Sequence, residues 1–148
     1  MPVQYGTAHD LAQWMQLVAQ IRWNFPGLET EESIAEHRRT VLRFMEKRQA
    51  LCVKDGDAVV GVLLFSRGHN MICCLGVSPQ YRRRKIASQL LTEALHQLDR
   101  SRDITVSTFR KGDTKGVAPR ALYEKFGFIE GNLIEEFGYP NQEFILHP

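Results

Sequence analysis

Two apolar runs joined by a tight-turn dipeptide restrict the fold more than any other feature of the sequence. Residues 50–54 (ALCVK) and 58–65 (AVVGVLLF) are each of strand length, and Asp55-Gly56 between them is typical of a hairpin turn. A third run, residues 71–77 (MICCLGV), follows the polar turn at residues 66–70. The centre of the chain therefore predicts three consecutive antiparallel strands.

Segments with helical periodicity surround these strands. Apolar spacing predicts a helix from Leu11 to about Phe25 and a second helix capped by Thr30, with an acidic first turn and a basic last turn. Residues 82–98 and 119–126 predict two more helices. Further strands are predicted at residues 2–6, 104–109, 128–133 and 142–146.

The predicted order is β-α-α-β-β-β-α-β-α-β-β. Central hairpins combined with later helical crossovers indicate an α+β domain, a mixed and mostly antiparallel central sheet flanked by helices. A length of 148 residues suits one domain, which we expect to span residues 1–148.

Composition narrows the function class. The chain is 43% hydrophobic and 24% charged, as in ordinary soluble proteins, and has no apolar run of transmembrane length. The first residues, MPVQYGTAHD, lack a signal-peptide pattern, so we expect a cytoplasmic protein without a membrane partner. The three cysteines form no evident disulfide framework, and the five scattered histidines indicate no metal site.

Four consecutive cations, Arg82 to Lys85, stand at the predicted start of the third helix. Positive charge is disfavoured at a helix N-terminus, so either an anionic ligand binds there or the run is a solvated basic face. Nucleic acid is the weaker explanation, because the net charge is only +2 and no aromatic residues interleave with the basic ones.

Two motifs resemble the GNAT superfamily of acyl-CoA-dependent N-acetyltransferases. Residues 82–87 (RRRKIA), preceded by VSPQY, are similar to the family's phosphate-binding motif R/Q-x-x-G-x-G/A. Residues 121–128 (ALYEKFGF) are similar to its A-x-x-L-Y-x-K-x-G-F segment. In two places the chain departs from the family pattern: Lys85 replaces the first glycine, and Gly116 stands where an asparagine is common. We expect Lys85 to take right-handed helical geometry and still offer its backbone N–H.

The resemblance implies acetyl-CoA as co-substrate. The backbone N–H groups of Arg84 to Ser88, with Arg82 and Arg83, are expected to hold the pyrophosphate of coenzyme A. The strand of residues 73–77 is expected to separate from its neighbour and bind the pantetheine arm, with Gly76 suited to a bulge or a close approach. The alternative is a simple core strand. The implied coenzyme A contacts are Leu75, Gly76, Val77, Arg82, Arg83, Arg84, Lys85, Ile86, Ala87 and Ser88.

Tyr123 is the implied general acid for the leaving thiolate, the alternative being a tyrosine that only packs against the sheet. The sequence does not identify the general base. The candidates are His69, a water molecule and four glutamates: Glu31, Glu32, Glu135 and Glu136. An acyl-enzyme on Cys74 is disfavoured, because no histidine is positioned in the sequence to activate it.

The acceptor side is equally open. Trp14, Trp23, Phe25 and the second helix lie where relatives build the acceptor pocket, with carboxylates at Glu29, Glu31, Glu32 and Glu36. The alternative is a core of aromatics beside a solvated helix face. The loop at residues 110–117 either borders this pocket or is a mobile surface loop.

These features predict an N-acetyltransferase that moves an acetyl group from acetyl-CoA to a primary amine of a small molecule or peptide, by direct attack in a ternary complex. The sequence leaves the oligomeric state open between a monomer and a homodimer. The alternatives are a non-catalytic acyl-CoA-binding or interaction module and, less favoured, a nucleic-acid-binding domain.

Overall fold

The computed structural model describes residues 1–148 and contains seven strands in one sheet. In chain order they are β1 (Val3–Tyr5), β2 (Ala50–Asp55), β3 (Ala58–Ser66), β4 (Met71–Val77), β5 (Ile104–Phe109), β6 (Ile129–Glu136) and β7 (Tyr139–Leu146). The order across the sheet is β1-β2-β3-β4-β5-β7-β6, and β4–β5 is the one parallel pair. The predicted mixed, mostly antiparallel sheet is confirmed.

Four helices flank the sheet. They are α1 (Leu11–Ile21), α2 (Glu31–Glu46), α3 (Ile86–Gln97) and α4 (Val117–Lys125), with short 3-10 turns at Ala8–Asp10, Arg22–Asn24, Pro79–Tyr81 and Thr114–Gly116. None of these helices is long and apolar enough to cross a bilayer. The element order agrees with the predicted one throughout.

Each face of the sheet has its own core. On one face α3 and α4 bury Ile86, Leu90, Leu91 and Tyr123 against strand residues such as Phe144. On the other face α1 and α2 bury residues that include Trp14 and Val41 against β2 and β3. Because both faces of the central strands are covered, β3 is an almost unbroken apolar run rather than an alternating one.

The hairpin of β6 and β7 is longer and tighter than the sequence predicted. The predicted strands stopped at residue 133 and restarted at 142, whereas the observed strands leave only Phe137 and Gly138 between them. Both turn residues have positive φ, 53° and 73°, which matches the twist of two-residue hairpins.

The third helix begins at Ile86, so the expected start at Arg82 is wrong. Arg82 is extended (φ −67°, ψ 157°), and Arg83 and Lys85 have φ of 65° and 61°. Lys85 is therefore left-handed, and its expected right-handed geometry is also wrong. A helix cannot propagate through left-handed residues, so the basic run forms a loop ahead of the first helical turn.

Candidate functional site

A gap in the sheet opens between β4 and β5. These strands pair only at Met71–Thr105 and Ile72–Val106, near the start of each strand. Beyond Ile72, β4 stays paired with β3 through Val77, while β5 stays paired with β7 through Phe109. We call the space between residues 73–77 of β4 and 107–109 of β5 the cleft. Its walls carry backbone groups that the parallel pairing does not use.

Cys73 and Gly76 give the β4 wall its shape. The register with β3 passes from Leu64–Cys74 to Phe65–Ile72, so Cys73 is the extra residue of a bulge. Gly76 serves a close approach: a β-carbon there would lie 2.5 Å from Ile21 Cδ1 and 3.3 Å from Phe25 Cζ. Of the two roles expected for Gly76, the structure has the close approach, and the bulge lies three residues earlier.

The N-terminus of α3 presents unpaired backbone donors. Lys85 is the N-cap and makes no side-chain capping bond, and the Gln89 N–H donates to the Lys85 carbonyl at 3.0 Å. The N–H groups of Ile86, Ala87 and Ser88 precede this bond and have no intrahelical acceptor. Together with the helix dipole they form a positive end suited to an anion.

The four cations ahead of α3 are exposed and form no ion pair with a carboxylate of the chain. The guanidinium of Arg84 lies over the Tyr81 ring, 5.0 Å from its centroid. The Tyr81 hydroxyl donates to Asp55 Oδ2 at 2.5 Å, which joins the loop to the β2–β3 hairpin. This acceptor also raises the pKa of Tyr81. The basic loop is thus fixed at its base while its charges face solvent.

A surface cavity of about 470 Å³ opens beside this loop. Lys85, Ser88 and Gln89 line it on the α3 side, and Met1 to Val3 line it opposite. It continues along the outside of α3 as far as Thr92 and Glu93.

Tyr123 reaches the cleft from α4. The residue is buried, and its ring makes edge contacts with Phe128 and Phe144 at centroid distances of 5.6 and 6.2 Å. Its hydroxyl makes no hydrogen bond within the chain. Burial, and then the neighbouring Cys74 thiol, raise the pKa of Tyr123 far above its ordinary value. The phenol therefore holds its proton at neutral pH.

Cys74 is half-buried and packs against the core of the α1–α2 face, and it adds to the burial that raises the pKa of Tyr123. Removal of its sulfur from water, with Cys73 next to it, raises the pKa of this thiol to about 12. A thiol with that pKa is protonated at neutral pH and is a poor nucleophile.

The aromatic residues suggested for the acceptor side separate into two groups. Trp14 is 1% exposed and belongs to the core on the α1–α2 face, so the core alternative holds for it. Trp23 is 65% exposed, and its Nε1–H donates to the Gln20 carbonyl. Phe25 is half-buried against Gly76, at the β4 wall of the cleft.

The loop at residues 110–117 makes several hydrogen bonds to the β6–β7 hairpin. The Arg110 guanidinium donates to the carbonyls of Asn141 and Ile134 at 3.0 and 2.9 Å. Asp113 accepts a hydrogen bond from the Tyr139 hydroxyl at 2.6 Å, which lowers the pKa of that carboxyl and raises the pKa of the phenol. The loop is therefore bound to the β6–β7 hairpin at the rim of the cleft.

The candidate bases lie at very different places. His69 is exposed in the β3–β4 turn, at the end where β4 and β5 are still paired. Glu31 is exposed and pairs with Arg22 at 3.2 Å, and Glu32 and Glu135 are exposed. Glu136 alone of these side chains is half-buried, and after burial itself its charge is the second cause that raises the pKa of Cys73 on the β4 wall. The structure contains no group of three or more His, Cys, Asp or Glu side chains arranged to hold a metal ion.

Sequence reasoning missed Phe137, Tyr139 and Asn141. The dipeptide Phe137-Gly138 between two strand-like segments was a usable signal, because X-Gly is common in two-residue hairpin turns. Nothing in the sequence distinguishes Asn141, whose role depends on its partner across the hairpin.

Comparison with known families and structures gives a consistent result. A family model described as the acetyltransferase (GNAT) domain matches residues 46–130. A search of curated proteins found no match at a significant level.

Several solved structures share the fold. A GNAT-family acetyltransferase from Bacillus cereus ATCC 10987 is 20% identical, with a TM-score of 0.74 over 98% of this chain and 95% of that one. An N-acetyltransferase from Staphylococcus aureus Mu50 is 15% identical, with a TM-score of 0.77 over 99% and 100%. The PaiA N-acetyltransferase from Thermoplasma acidophilum, solved with coenzyme A, is 18% identical, with a TM-score of 0.66 over 95% and 96%.

Proposed function

Because the chain belongs to the GNAT acetyltransferase family, whose domain model covers residues 46–130, we propose that it transfers an acetyl group from acetyl-CoA to a primary amine of a small molecule or peptide. Family membership makes the chain an acyltransferase that uses an acyl-CoA. The class of acceptor and the direct mechanism are our proposal.

One observation carries this proposal: the cleft between β4 and β5 lies next to the free N–H groups at the start of α3. Coenzyme A requires an anion site for its phosphates and a groove for its amide-rich arm, and these two features supply both. Lys85 meets the requirement at the usual glycine position by adopting φ of 61°, the region that glycine occupies most readily. The residues present therefore fit the co-substrate.

Each element then has a role in binding. The N–H groups of Ile86, Ala87 and Ser88 would hold the pyrophosphate, and the exposed cations from Arg82 to Lys85 would neutralise the phosphates around it. The free edge of β4, at Leu75 to Val77, would pair with the pantetheine amides as an added strand. The N–H near Leu75 would donate to the thioester oxygen, where negative charge develops during attack.

Tyr123 would act as the acid at the sulfur. When the acceptor amine attacks the carbonyl carbon, the C–S bond breaks and the departing thiolate takes a proton. The Tyr123 hydroxyl keeps its proton at neutral pH and is free of other hydrogen bonds, which favours this role.

The proposal is tested by steady-state turnover of acetyl-CoA with a panel of primary amines, following release of the coenzyme A thiol and the mass of the acetylated product. We expect saturable acetylation of at least one amine, with initial-rate patterns that require both substrates to be bound before either product leaves. Binding of acetyl-CoA without acetylation of any amine would favour a non-catalytic acyl-CoA-binding module instead. Ping-pong kinetics would contradict direct transfer.

A further inference from the structure

The turn between β6 and β7 crosses over the cleft. The ring of Phe137 lies against Gly27 in the α1–α2 connection, where a β-carbon on Gly27 would come within 2.7 Å of Phe137 Cγ. On the other side, the Tyr139 ring makes an edge contact with Phe109, the last residue of β5, at 5.8 Å between centroids. The hairpin end therefore joins the β5 wall to the α1 side and covers the cleft opposite α4.

Phe137 holds this position in a left-handed conformation, with φ of 53° and 79% of its surface exposed. Positive φ is unfavourable for a bulky residue. Because the Phe137 side chain is mostly exposed, burial of its ring does little to offset this cost. Such a conformation persists when the surrounding structure requires it. Here it determines where the preceding residue, Glu136, is placed.

Glu136 is a half-buried carboxylate beneath this turn. Its Oε1 accepts a hydrogen bond from Asn141 Nδ2 at 3.0 Å. No lysine, arginine or histidine forms an ion pair with it. A half-buried carboxylate without an ion pair is suited to a cation supplied from outside the chain.

None of the charged neighbours of Glu136 forms an ion pair with it. On β4, Cys73 keeps some exposed surface, yet partial removal from water, with the charge of Glu136 added, raises the pKa of its thiol to about 11. The Arg110 guanidinium donates to two backbone carbonyls and keeps its charge, and the Lys115 ammonium lies 5.6 Å from the centroid of the Tyr139 ring and donates to the Trp23 carbonyl. On β7 the Tyr139 hydroxyl donates to Asp113 instead.

Asn141 donates a hydrogen bond to Glu136 through its Nδ2, while its own Oδ1 has no hydrogen-bond donor. The residue is 7% exposed, and its Oδ1 is the one buried side-chain polar atom of the chain without a partner. An unpaired buried acceptor is destabilising, and an apolar side chain of similar size would avoid it. The Nδ2 group of this asparagine nevertheless donates to the Glu136 carboxylate and so holds it in place.

We propose that Glu136, positioned by Asn141, binds the ammonium group of the acceptor and takes its proton before attack. This inference rests on the proposed function and assigns the acceptor to the class of cationic primary amines. The ammonium R–NH₃⁺ gives one proton to the Glu136 carboxylate, which passes it to solvent, and the amine lone pair forms the N–C bond. The C–S bond breaks, the thiolate takes the Tyr123 proton, and the second proton lost from nitrogen restores Tyr123. The sum is R–NH₃⁺ and acetyl-CoA giving the acetamide, coenzyme A thiol and one free proton.

The test compares Glu136→Gln with Glu135→Gln, the adjacent exposed residue that carries the same charge change. The probes are 1,4-diaminobutane, tyramine and a tripeptide with a free amino group, each assayed for acetylation and for binding to the coenzyme A-loaded protein. For the best acceptor at pH 7 we expect Glu136→Gln to lower kcat/KM about 10²-fold and to weaken amine binding, with coenzyme A affinity unchanged. Glu135→Gln should stay within about twofold of wild type, as expected for an exposed charge.

The pH profile separates a base from a merely structural residue. A variant without its base depends on amine that is already neutral in solution, so its deficit should shrink as pH approaches the amine pKa, about 10 for an alkyl amine. A deficit that is constant with pH, or equal in Glu136→Gln and Glu135→Gln, would overturn the inference while leaving the acetyltransferase proposal intact. Wild-type protein that neither binds nor acetylates any of the three amines would count against both.

Asn141 is tested through its dependence on Glu136. Asn141→Ala should lower kcat/KM in the wild-type background, mainly through KM, and should have no further effect in the Glu136→Gln background. Losses that simply add would show that Asn141 acts independently of the carboxylate and would overturn its positioning role.

Discussion

Gly61 on β3 lies directly beneath Ile86, the first residue of α3. A β-carbon at residue 61 would come within 2.6 Å of Ile86 Cγ2 and 3.1 Å of Leu90 Cδ1. This contact sets how closely the start of α3 approaches the sheet, and so determines where its free N–H groups lie relative to the cleft.

Gly61→Ala should therefore displace α3. We expect a loss of about 1–3 kcal/mol in the free energy of unfolding, the usual effect of overpacking, together with weaker coenzyme A binding. Chemical denaturation and a coenzyme A titration measure the two effects. Gly68→Ala is the matched control, because a β-carbon there meets nothing closer than Ser66 Oγ at 4.0 Å. Restored stability in Gly61→Ala/Ile86→Ala would assign the effect to this contact, and an unaltered Gly61→Ala protein would refute it.

Lys85→Gly should be neutral or stabilising by up to about 1 kcal/mol, because glycine takes φ of 61° without the strain that a side chain adds. Lys85→Val should destabilise by about 1–2 kcal/mol, since a β-branched residue fits this region poorly. Ser88→Gly, inside the first turn of α3, is the control of opposite sign and should lose about 0.5 kcal/mol. Thermal and urea unfolding provide the measurement. Strong destabilisation by Lys85→Gly would contradict the left-handed assignment.

Arg82→Gln and Arg83→Gln should each raise the Kd of coenzyme A about 3–10-fold at low ionic strength, with a smaller effect at high salt, because exposed charges are screened. The control is Arg39→Gln, an exposed cation on α2 away from the loop. Calorimetric titration at two salt concentrations gives both numbers. If both loop variants match the control, the cations do not contact the phosphates.

Tyr123→Phe should lower kcat about 10²-fold while leaving stability at neutral pH almost unchanged, because the hydroxyl has no partner in the chain. Burial raises the pKa of Tyr123 above its ordinary value of 10.0. Above that pH the unfolded chain loses the proton first, so wild type should lose stability with rising pH faster than the phenylalanine variant, by at most about 1.4 kcal/mol per pH unit. Urea unfolding between pH 9 and 11, roughly spanning the ordinary tyrosine pKa, tests this difference. Parallel curves would mean that the phenol is not buried, and an unchanged kcat would remove it as the acid.

Cys74→Ala should retain kcat within about threefold, because a thiol with a pKa near 12 is almost wholly protonated at neutral pH. Mass spectrometry of the wild-type protein mixed with acetyl-CoA should show no acetyl group on this residue. An acetylated protein that disappears in Cys74→Ala, accompanied by loss of turnover, would establish an acyl-enzyme instead.

Local sequence patterns account for most of the architecture. The apolar run of β3 and the turn signal near Asp55-Gly56 identified the central hairpin, although its two turn residues are Gly56 and Asp57 because Asp55 still pairs with Ala58. Thr30 does cap α2, since its Oγ1 accepts from the Ser33 N–H at 3.0 Å. Such features succeed because their cause is local: periodicity, turn propensity and capping act over a few residues. The predicted start of α3 was wrong because its cause is not local. Arginine and lysine favour helices, and no neighbouring residue indicates that Arg83 and Lys85 adopt positive φ.

By itself the sequence determined the order of elements, the α+β class and the family resemblance, which the domain match confirms. The tertiary structure alone decided which of two adjacent glutamates is half-buried, that Trp14 is core, and that Asn141 holds Glu136 across the hairpin. Glu135 and Glu136 are adjacent and chemically identical. They differ only because side chains alternate between the faces of a strand, and the register that selects a face is fixed by a two-residue turn and by pairing with β7. The difference between the two glutamates therefore depends on long-range packing, and the sequence around them does not indicate it.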